Sequence, residues 1–141
     1  PRVIASAILS LFVILPSAVH AAGDAAKGQQ VFAKCAACHA KDSSNRLGPG
    51  LLGVVGRQAG GVQGFHYSRA MKGANKVWDE KSLDAFIAAP QKAVPGTTMP
   101  FAGIPDEQQR SDLIAYLETL KGAGSHQLIL VRMPYAISAA R

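Results

Sequence analysis

The stretch Cys35-Ala36-Ala37-Cys38-His39 organises most of what can be read from this chain. Two thiols three positions apart at the end of a helix can both reach the vinyl groups of one haem. His39 follows directly and can place its imidazole on the iron. This CxxCH spacing is the signature of c-type haem attachment, so we predict a covalent haem on Cys35 and Cys38.

Other uses of the same residues fit the sequence less well. A CxxC redox pair favours a thioredoxin-like βαβ pattern, which we do not find here. A disulfide across two residues would be strained, and a zinc site would need a fourth ligand beside Cys35, Cys38 and His39. Because the chain has two cysteines, a four-cysteine zinc site and a multi-disulfide scaffold are excluded.

The second axial position on the iron has several candidates. They are His20, His66, His126, Met71, Met99, Met133, a lysine, or no protein ligand. Met99 lies in the stiff loop Pro95-Gly96-Thr97-Thr98-Met99-Pro100-Phe101, which can hold a thioether against iron at a small ordering cost. Met/His ligation raises the reduction potential. Met71 and Met133 are expected to pack or be exposed, and His66 is expected to face solvent.

Residues 1–21 have the pattern of a cleaved secretory signal. Arg2 gives a basic start, residues 3–15 form an apolar run, and Val19 and Ala21 fit the cleavage-site positions. The run of about 13 residues is shorter than the roughly 20 that span a bilayer. We therefore predict cleavage after Ala21 or Ala22 and a periplasmic protein. An uncleaved membrane anchor and a buried helix are the alternatives.

The composition of the chain excludes several other classes of protein. The 141 residues suit one domain, and a hydrophobic content of 48% is too high for a disordered chain. The net charge is +6, but residues 22–121 hold 12 of the 15 basic residues and all 9 acidic ones. This part carries only +3 and has no basic stripe, so we predict no nucleic-acid binding.

Residues 22–122 are predicted to form an all-α domain with three main helices and long loops. The helices are expected at 24–34, from 79 to Pro90, and from Pro105, which suits a first helical turn, to about 121. A short helix is expected at 68–73, and loops at 40–64 and 91–103. Three helices make a thin core, so an embedded cofactor would supply missing apolar volume.

Two local features complete the pattern. Gly28 costs about 1 kcal/mol relative to Ala inside a helix, which is offset if another backbone passes close by. Residues 123–141 have no acidic side chain and an apolar run at 128–131, with no predicted partner helix. We interpret this tail as an alternative C-terminus or a sequence artefact, with an extra strand or a membrane-touching segment as the alternative.

From about Gly23 to Lys121 the chain resembles class I cytochrome c, closest to the bacterial cytochrome c2 type and its mitochondrial relative. The resemblance is carried by GDAAKGQQVF, CAACH, LGPGLLGVVGR, GFHYS, Trp78, PGTTMPFAG and DLIAYL. CxxCH alone occurs in many haem proteins, whereas the order and spacing of all seven landmarks is more specific. The resemblance implies a small all-α fold wrapped around one covalently bound haem c.

The resemblance also implies the haem ligands. Cys35 and Cys38 would form the thioethers, and His39 and Met99 would be the axial ligands. The backbone carbonyl of Pro49 would accept the N–H of the His39 imidazole and so fix the ring orientation.

The resemblance further implies contacts around the haem. The propionates, which need donors in a poorly solvated pocket, would be contacted by Arg57, Tyr67, Ser68 and Trp78. Thr97 matches a hydrogen-bonding position near the haem. Where the first and last helices cross, Gly28 and Phe32 would meet Leu113 and Tyr116.

The chain departs from the family pattern at three positions. Phe86 stands where mitochondrial members have a tyrosine near the methionine sulfur, Asn45 replaces a frequent histidine, and Met71 replaces a polar residue that helps to order internal water. These changes affect the fine tuning of the reduction potential of the haem. The lysines available to surround the haem edge are Lys34, Lys41, Lys72 and Lys92.

The function implied is that of a monomeric periplasmic carrier of single electrons, not an enzyme, because a filled sixth iron position leaves no place for substrate. It would dock transiently with membrane-bound or periplasmic redox proteins such as an oxidase, a reductase or a quinol-oxidising complex, in respiration or photosynthesis. Alternatives are a haem enzyme or gas sensor with an open iron, and an electron-accepting cytochrome subunit of a dehydrogenase.

Overall fold

The structure is a computed structural model that describes residues 22–121. The predicted signal at 1–21 and the atypical tail at 123–141 lie outside the described residues. Within residues 22–121 the chain forms helical segments and loops, and no β-strand. The segments are α1 (Ala25–Val31), α2 (Ala33–Ala36), α3 (Arg69–Lys72), α4 (Glu80–Ala88), α5 (Pro90–Ala93) and α6 (Glu107–Thr119). The predicted all-α class is confirmed.

Side-chain caps set the starts of four of these helices. Asp24, Ser68, Asp79 and Asp106 each accept a hydrogen bond from a backbone N–H in the first turn that follows. Because Asp106 is the cap of α6, Pro105 lies outside the helix, and its predicted place in the first turn is wrong. In the described part of the chain, no helix is long and apolar enough to cross a membrane.

Two predicted boundaries also differ. The first helix is interrupted at Phe32, where α1 ends and α2 begins. The predicted loop 91–103 begins inside α5, because Pro90 does not simply stop α4 but opens a new helical turn at a first helical position, where its missing N–H costs nothing.

The crossing of α1 and α6 brings the two ends of the described chain together. A side chain at Gly28 would overlap the carbonyl oxygen of Asp112 and come within 2.8 Å of Tyr116 Cβ. One turn later, the rings of Phe32 and Tyr116 lie 5.4 Å apart between centroids. The predicted close approach at Gly28 is confirmed, and it explains why a glycine is present in this helix.

Asp112 ties the start of α1 to this crossing. Its carboxylate accepts hydrogen bonds of 2.8 Å from the backbone N–H of Asp24 and 2.8 Å from the side-chain amide of Gln108. The bond from Asp24, then the bond from Gln108, lower the pKa of the Asp112 carboxyl. A charged Asp112 therefore stabilises the folded chain.

Asp112→Asn should consequently destabilise the protein in a pH-dependent way. A lowered folded pKa contributes stability above the unfolded value, near 3.9, and this contribution is lost as pH falls through the folded pKa. We expect the variant to be less stable than wild type at pH 7, and this deficit to be smaller at pH 3. Denaturant unfolding at the two pH values measures this, and an equal loss at both would contradict it.

The long segment 40–64 is organised by backbone hydrogen bonds to distant elements. The Gly53 N–H donates to the Leu120 carbonyl at the end of α6. The Gly56 N–H donates to the Trp78 carbonyl over 2.8 Å, and the Trp78 N–H donates to the Arg57 carbonyl over 2.9 Å. These bonds draw the segment over the core, where it forms one side of an internal cavity.

Candidate functional site

The main feature of the interior is a cavity of about 430 Å³, a volume typical of cofactor sites. Helices α4 and α6 contribute apolar side chains to its wall, among them Leu83, Phe86, Ile87, Leu113 and Leu117. All ten residues that the sequence predicts to bind haem line this one cavity: Cys35, Cys38, His39, Pro49, Arg57, Tyr67, Ser68, Trp78, Thr97 and Met99.

The CxxCH segment leaves α2 in a tight turn. The N–H groups of Cys38 and His39 both donate to the Cys35 carbonyl, over 3.1 and 2.9 Å. The two cysteines are not joined in a disulfide, and both are partly buried. Burial raises the pKa of the Cys35 thiol, which disfavours the thiolate that a redox nucleophile requires. Residues 22–121 contain no group of three or more His, Cys, Asp or Glu side chains placed to hold a metal ion.

His39 is fixed by two neighbours. Its Nδ1 lies 2.8 Å from the Pro49 carbonyl oxygen, which can only accept, so the ring proton is on Nδ1. The other nitrogen, Nε2, is then left with a lone pair for a metal. Gly48 packs against the ring: a Cβ there would lie 2.7 Å from Nδ1 and 2.8 Å from Nε2. This geometry fits a haem whose iron is held by Nε2.

Gly48→Ala should therefore displace the His39 imidazole. The new methyl group has no room beside the ring, and Gly48 is itself buried. We expect a marked fall in the fraction of purified chain carrying low-spin haem, read from the absorbance of the reduced protein per mole of chain. Gly73→Ala is the control, because Gly73 is exposed and does not line the cavity. Equal haem content in Gly48→Ala and wild type would contradict this reading.

Two methionines reach the cavity. Met99 is half-buried, and its N–H lies 3.4 Å from the Thr97 hydroxyl oxygen. The Thr97 carbonyl in turn accepts a 2.7 Å bond from the Gln91 side chain. Met71, which we expected to pack or be exposed, is buried in the core and also lines the cavity. The described residues thus supply two thioethers that could approach the iron.

The remaining candidates for the second axial position differ in whether they lie at the cavity. His66 is exposed and does not line the cavity, which confirms that it faces solvent. His20, His126 and Met133 lie outside the described residues. Lys34 is exposed and lies at the cavity, with its Nζ donating to the Gln109 side chain over 2.9 Å.

Polar side chains enter the otherwise apolar cavity from the segment that holds Arg57 and Tyr67. Burial lowers the pKa of Arg57 and raises the pKa of Tyr67, as expected for groups held away from water. The Arg57 guanidinium donates to the Leu52 carbonyl over 3.1 Å, while the Ser68 hydroxyl caps α3 by accepting from the Met71 N–H. A partly buried cation and a phenol are suitable partners for a buried carboxylate such as a haem propionate.

Some cavity residues were missed by sequence reasoning or given a different role. Leu113, which the resemblance places against the first helix, also lines the cavity, as does Leu117 one turn later in α6. Gly48 carries no periodic signal, and only its place in LGPG beside Pro49 marked the segment. Phe86, which stands where mitochondrial members have a tyrosine, packs against Trp78 with ring centroids 4.9 Å apart.

Comparison with known proteins agrees with this site. The family model for cytochrome c matches residues 25–121. Cytochrome c2 of Rhodoblastus acidophilus is 49% identical over 106 residues, covering 74% of this chain and 99% of its own. Cytochrome c2 of Blastochloris viridis is 43% identical over 121 residues, covering 84% and 95%.

A solved structure gives the same result. Cytochrome cH from Methylobacterium extorquens superposes with a TM-score of 0.67 at 48% identity, covering 69% of this chain and 99% of its own. The chain therefore belongs to the cytochrome c family, as an electron-transfer haem protein whose haem c is bound covalently through Cys35 and Cys38.

Proposed function

We propose that the chain is a periplasmic carrier of single electrons in which His39 and Met99 are the two axial ligands of the haem iron. The observation that carries the proposal is the orientation of His39 in the cavity: its Nδ1 is engaged by Pro49, and Met99 reaches the same cavity. Residues 1–21, with the pattern of a secretory signal, support the periplasmic location.

The bound haem supplies an iron that alternates between the ferrous and ferric states. The chain's own residues set the conditions for this exchange. His39 is held in one orientation by Pro49, and the thioether of Met99 favours the reduced state and so raises the potential. The apolar side chains of α4 and α6 keep water from the metal, which lowers the reorganisation needed when charge changes. With His39 and Met99 both bound to the iron, no position would remain for a substrate, so we propose an electron carrier and not an enzyme.

The surface beside the cavity suits brief contacts with other redox proteins. Leu47 lines the cavity and is 83% exposed, and Lys34 adds a positive charge near it. Small interfaces of this kind form and separate quickly, and the basic side chain steers the protein to acidic patches. We propose that a monomer docks in this way with a membrane-bound or periplasmic oxidase, reductase or quinol-oxidising complex.

The absorption spectrum of the purified holoprotein, oxidised and reduced, tests the proposal. A c-type spectrum with the weak far-red sulfur-to-iron band supports His/Met ligation and the carrier function. A c-type spectrum without that band, together with rapid carbon monoxide binding to the reduced protein, would instead favour an enzyme or gas sensor with an open iron. Stable co-purification with a dehydrogenase would replace the freely diffusing carrier with a permanent subunit.

A further inference from the structure

We propose that Arg110 is a positioning residue for Met99. The Met99 loop, defined here as residues 94–105, carries the methionine between α5 and α6. The guanidinium of Arg110 fastens the end of this loop to the helices that form the cavity wall. The inference rests on the proposed function, in which Met99 is an iron ligand.

The guanidinium of Arg110 lies where three elements meet. Arg110 belongs to the first part of α6 and is 9% exposed. Its Nη1 donates to the carbonyl oxygens of Ile104 over 3.0 Å and Pro105 over 2.8 Å, the last two residues of the Met99 loop. Its Nε donates to Asp84 Oδ1 of α4 over 2.6 Å. One buried cation therefore joins α4, α6 and the loop.

The end of the loop that Arg110 holds is close to Met99 in sequence, and it is hydrogen-bonded to the wall of the cavity. Ile104, five residues after Met99, is 1% exposed, and its N–H donates to the Ile87 carbonyl over 2.9 Å. Ile87 lines the cavity, as does Phe86, which follows Asp84 by two positions. Arg110 thus fixes the loop and the wall relative to each other.

Met99 lies between this end of the loop and Thr97, whose carbonyl is bonded to the Gln91 side chain. The backbone of Met99 makes hydrogen bonds to its neighbours in the loop. Its N–H lies at a long 3.4 Å from the Thr97 hydroxyl, and its carbonyl accepts from the Phe101 N–H over 3.0 Å. These backbone bonds move with the loop. The side chains of Met99 and Phe101 pack against the core, but apolar packing has no fixed direction and tolerates small shifts of the loop. The exact position of the thioether therefore also depends on how the two ends of the loop are held, and Arg110 holds the second.

A lysine cannot reproduce the arrangement. Arg110 uses two nitrogens of a rigid planar fork to reach a carboxylate and two carbonyls, whereas an ammonium is a single point on a flexible stem. Arg110→Lys keeps the charge and removes the fork. We expect it to loosen the loop and to let Met99 leave the iron more often.

Imidazole titration of the ferric holoprotein measures this opening, because added imidazole binds the iron after Met99 has left. The signal is the loss of the far-red sulfur-to-iron band. Lost hydrogen bonds to a charged group predict that imidazole binds Arg110→Lys at least about tenfold more tightly than wild type. Asp84→Asn, which keeps the carbonyl contacts and is expected to fold, should show a smaller increase, and it serves as the test variant if Arg110→Lys does not fold.

Asp112→Asn is the matched control, since Asp112 lies on the same helix but contacts α1 instead of the Met99 loop. Urea unfolding gives the global stability of each variant. Asp112→Asn should lose stability with imidazole affinity changed by less than about twofold. If imidazole affinity follows global stability equally in both variants, or does not rise in Arg110→Lys and Asp84→Asn, Arg110 is merely structural. A wild-type protein without the far-red band would remove the proposed ligation itself, and this inference with it.

Discussion

Met99→Ala is expected to lower the reduction potential of the haem by on the order of 0.2 V, a fraction of the roughly 0.8 V that axial ligands can set. Loss of the thioether removes the ligand that favours the reduced iron. The far-red sulfur-to-iron band should vanish from the ferric spectrum, and the reduced variant should bind carbon monoxide rapidly. Redox titration and absorption spectroscopy of the holoprotein measure all three effects.

The matched control for this experiment lies in the same cavity. Met71 is a second buried thioether that lines the site. Met71→Leu conserves volume, so it should cost less than about 1.5 kcal/mol of stability and keep the far-red band. The reverse result, in which Met71→Leu loses the band and Met99→Ala retains it, would assign the sixth position to Met71.

Gly28→Val is expected to destabilise the folded protein by at least about 3 kcal/mol, a large part of a typical total stability. Its Cβ would overlap the Asp112 carbonyl oxygen and press on Tyr116 Cβ. Because these atoms belong to the backbone and stem of α6, relief requires the two helices to separate. Separation would also disturb the contact of Phe32 with Tyr116. Denaturant unfolding of the holoprotein gives the change in free energy.

Gly73→Ala is the control, because it replaces a glycine at a position where the new side chain has room. At this exposed position a Cβ would lie 3.4 Å from the Arg69 carbonyl oxygen, with no severe overlap. We expect a change within about 1 kcal/mol. If Gly28→Val unfolds no more easily than Gly73→Ala, helices α1 and α6 do not depend on their close packing for stability.

The sequence predicted which residues line the cavity better than it predicted the helix boundaries around it. Cys35, Cys38 and His39 are adjacent in the chain, so their shared chemistry is visible without any knowledge of folding. Arg57 and Met99 are far apart in sequence, and only resemblance to a family could join them to the same site. Pro49 became interpretable in the same way, since no property of a lone proline predicts that its carbonyl orients a histidine.

What the sequence could not supply depends on tertiary contacts. Leu113 and Leu117 have the spacing of an inward helix face, but the spacing does not distinguish a helix partner from a cavity. The start of α6 was misplaced because Pro105 and Asp106 both suit a helix beginning, and the observed bond from the Gln109 N–H to Asp106 decides between them. The contacts of Arg110 were missed because its partners lie on a loop and on another helix.

The crossing of α1 and α6 also bears on the order of events during synthesis. The hydrogen bond between Asp24 and Asp112 joins residues 88 positions apart in the chain. Helix α1 therefore cannot pack against α6 until α6 has been synthesised, and closing so long a loop is slow. The CxxCH segment, which begins four residues after α1 ends, therefore leaves the ribosome well before the fold can close, and its two thiols are accessible for covalent modification until then.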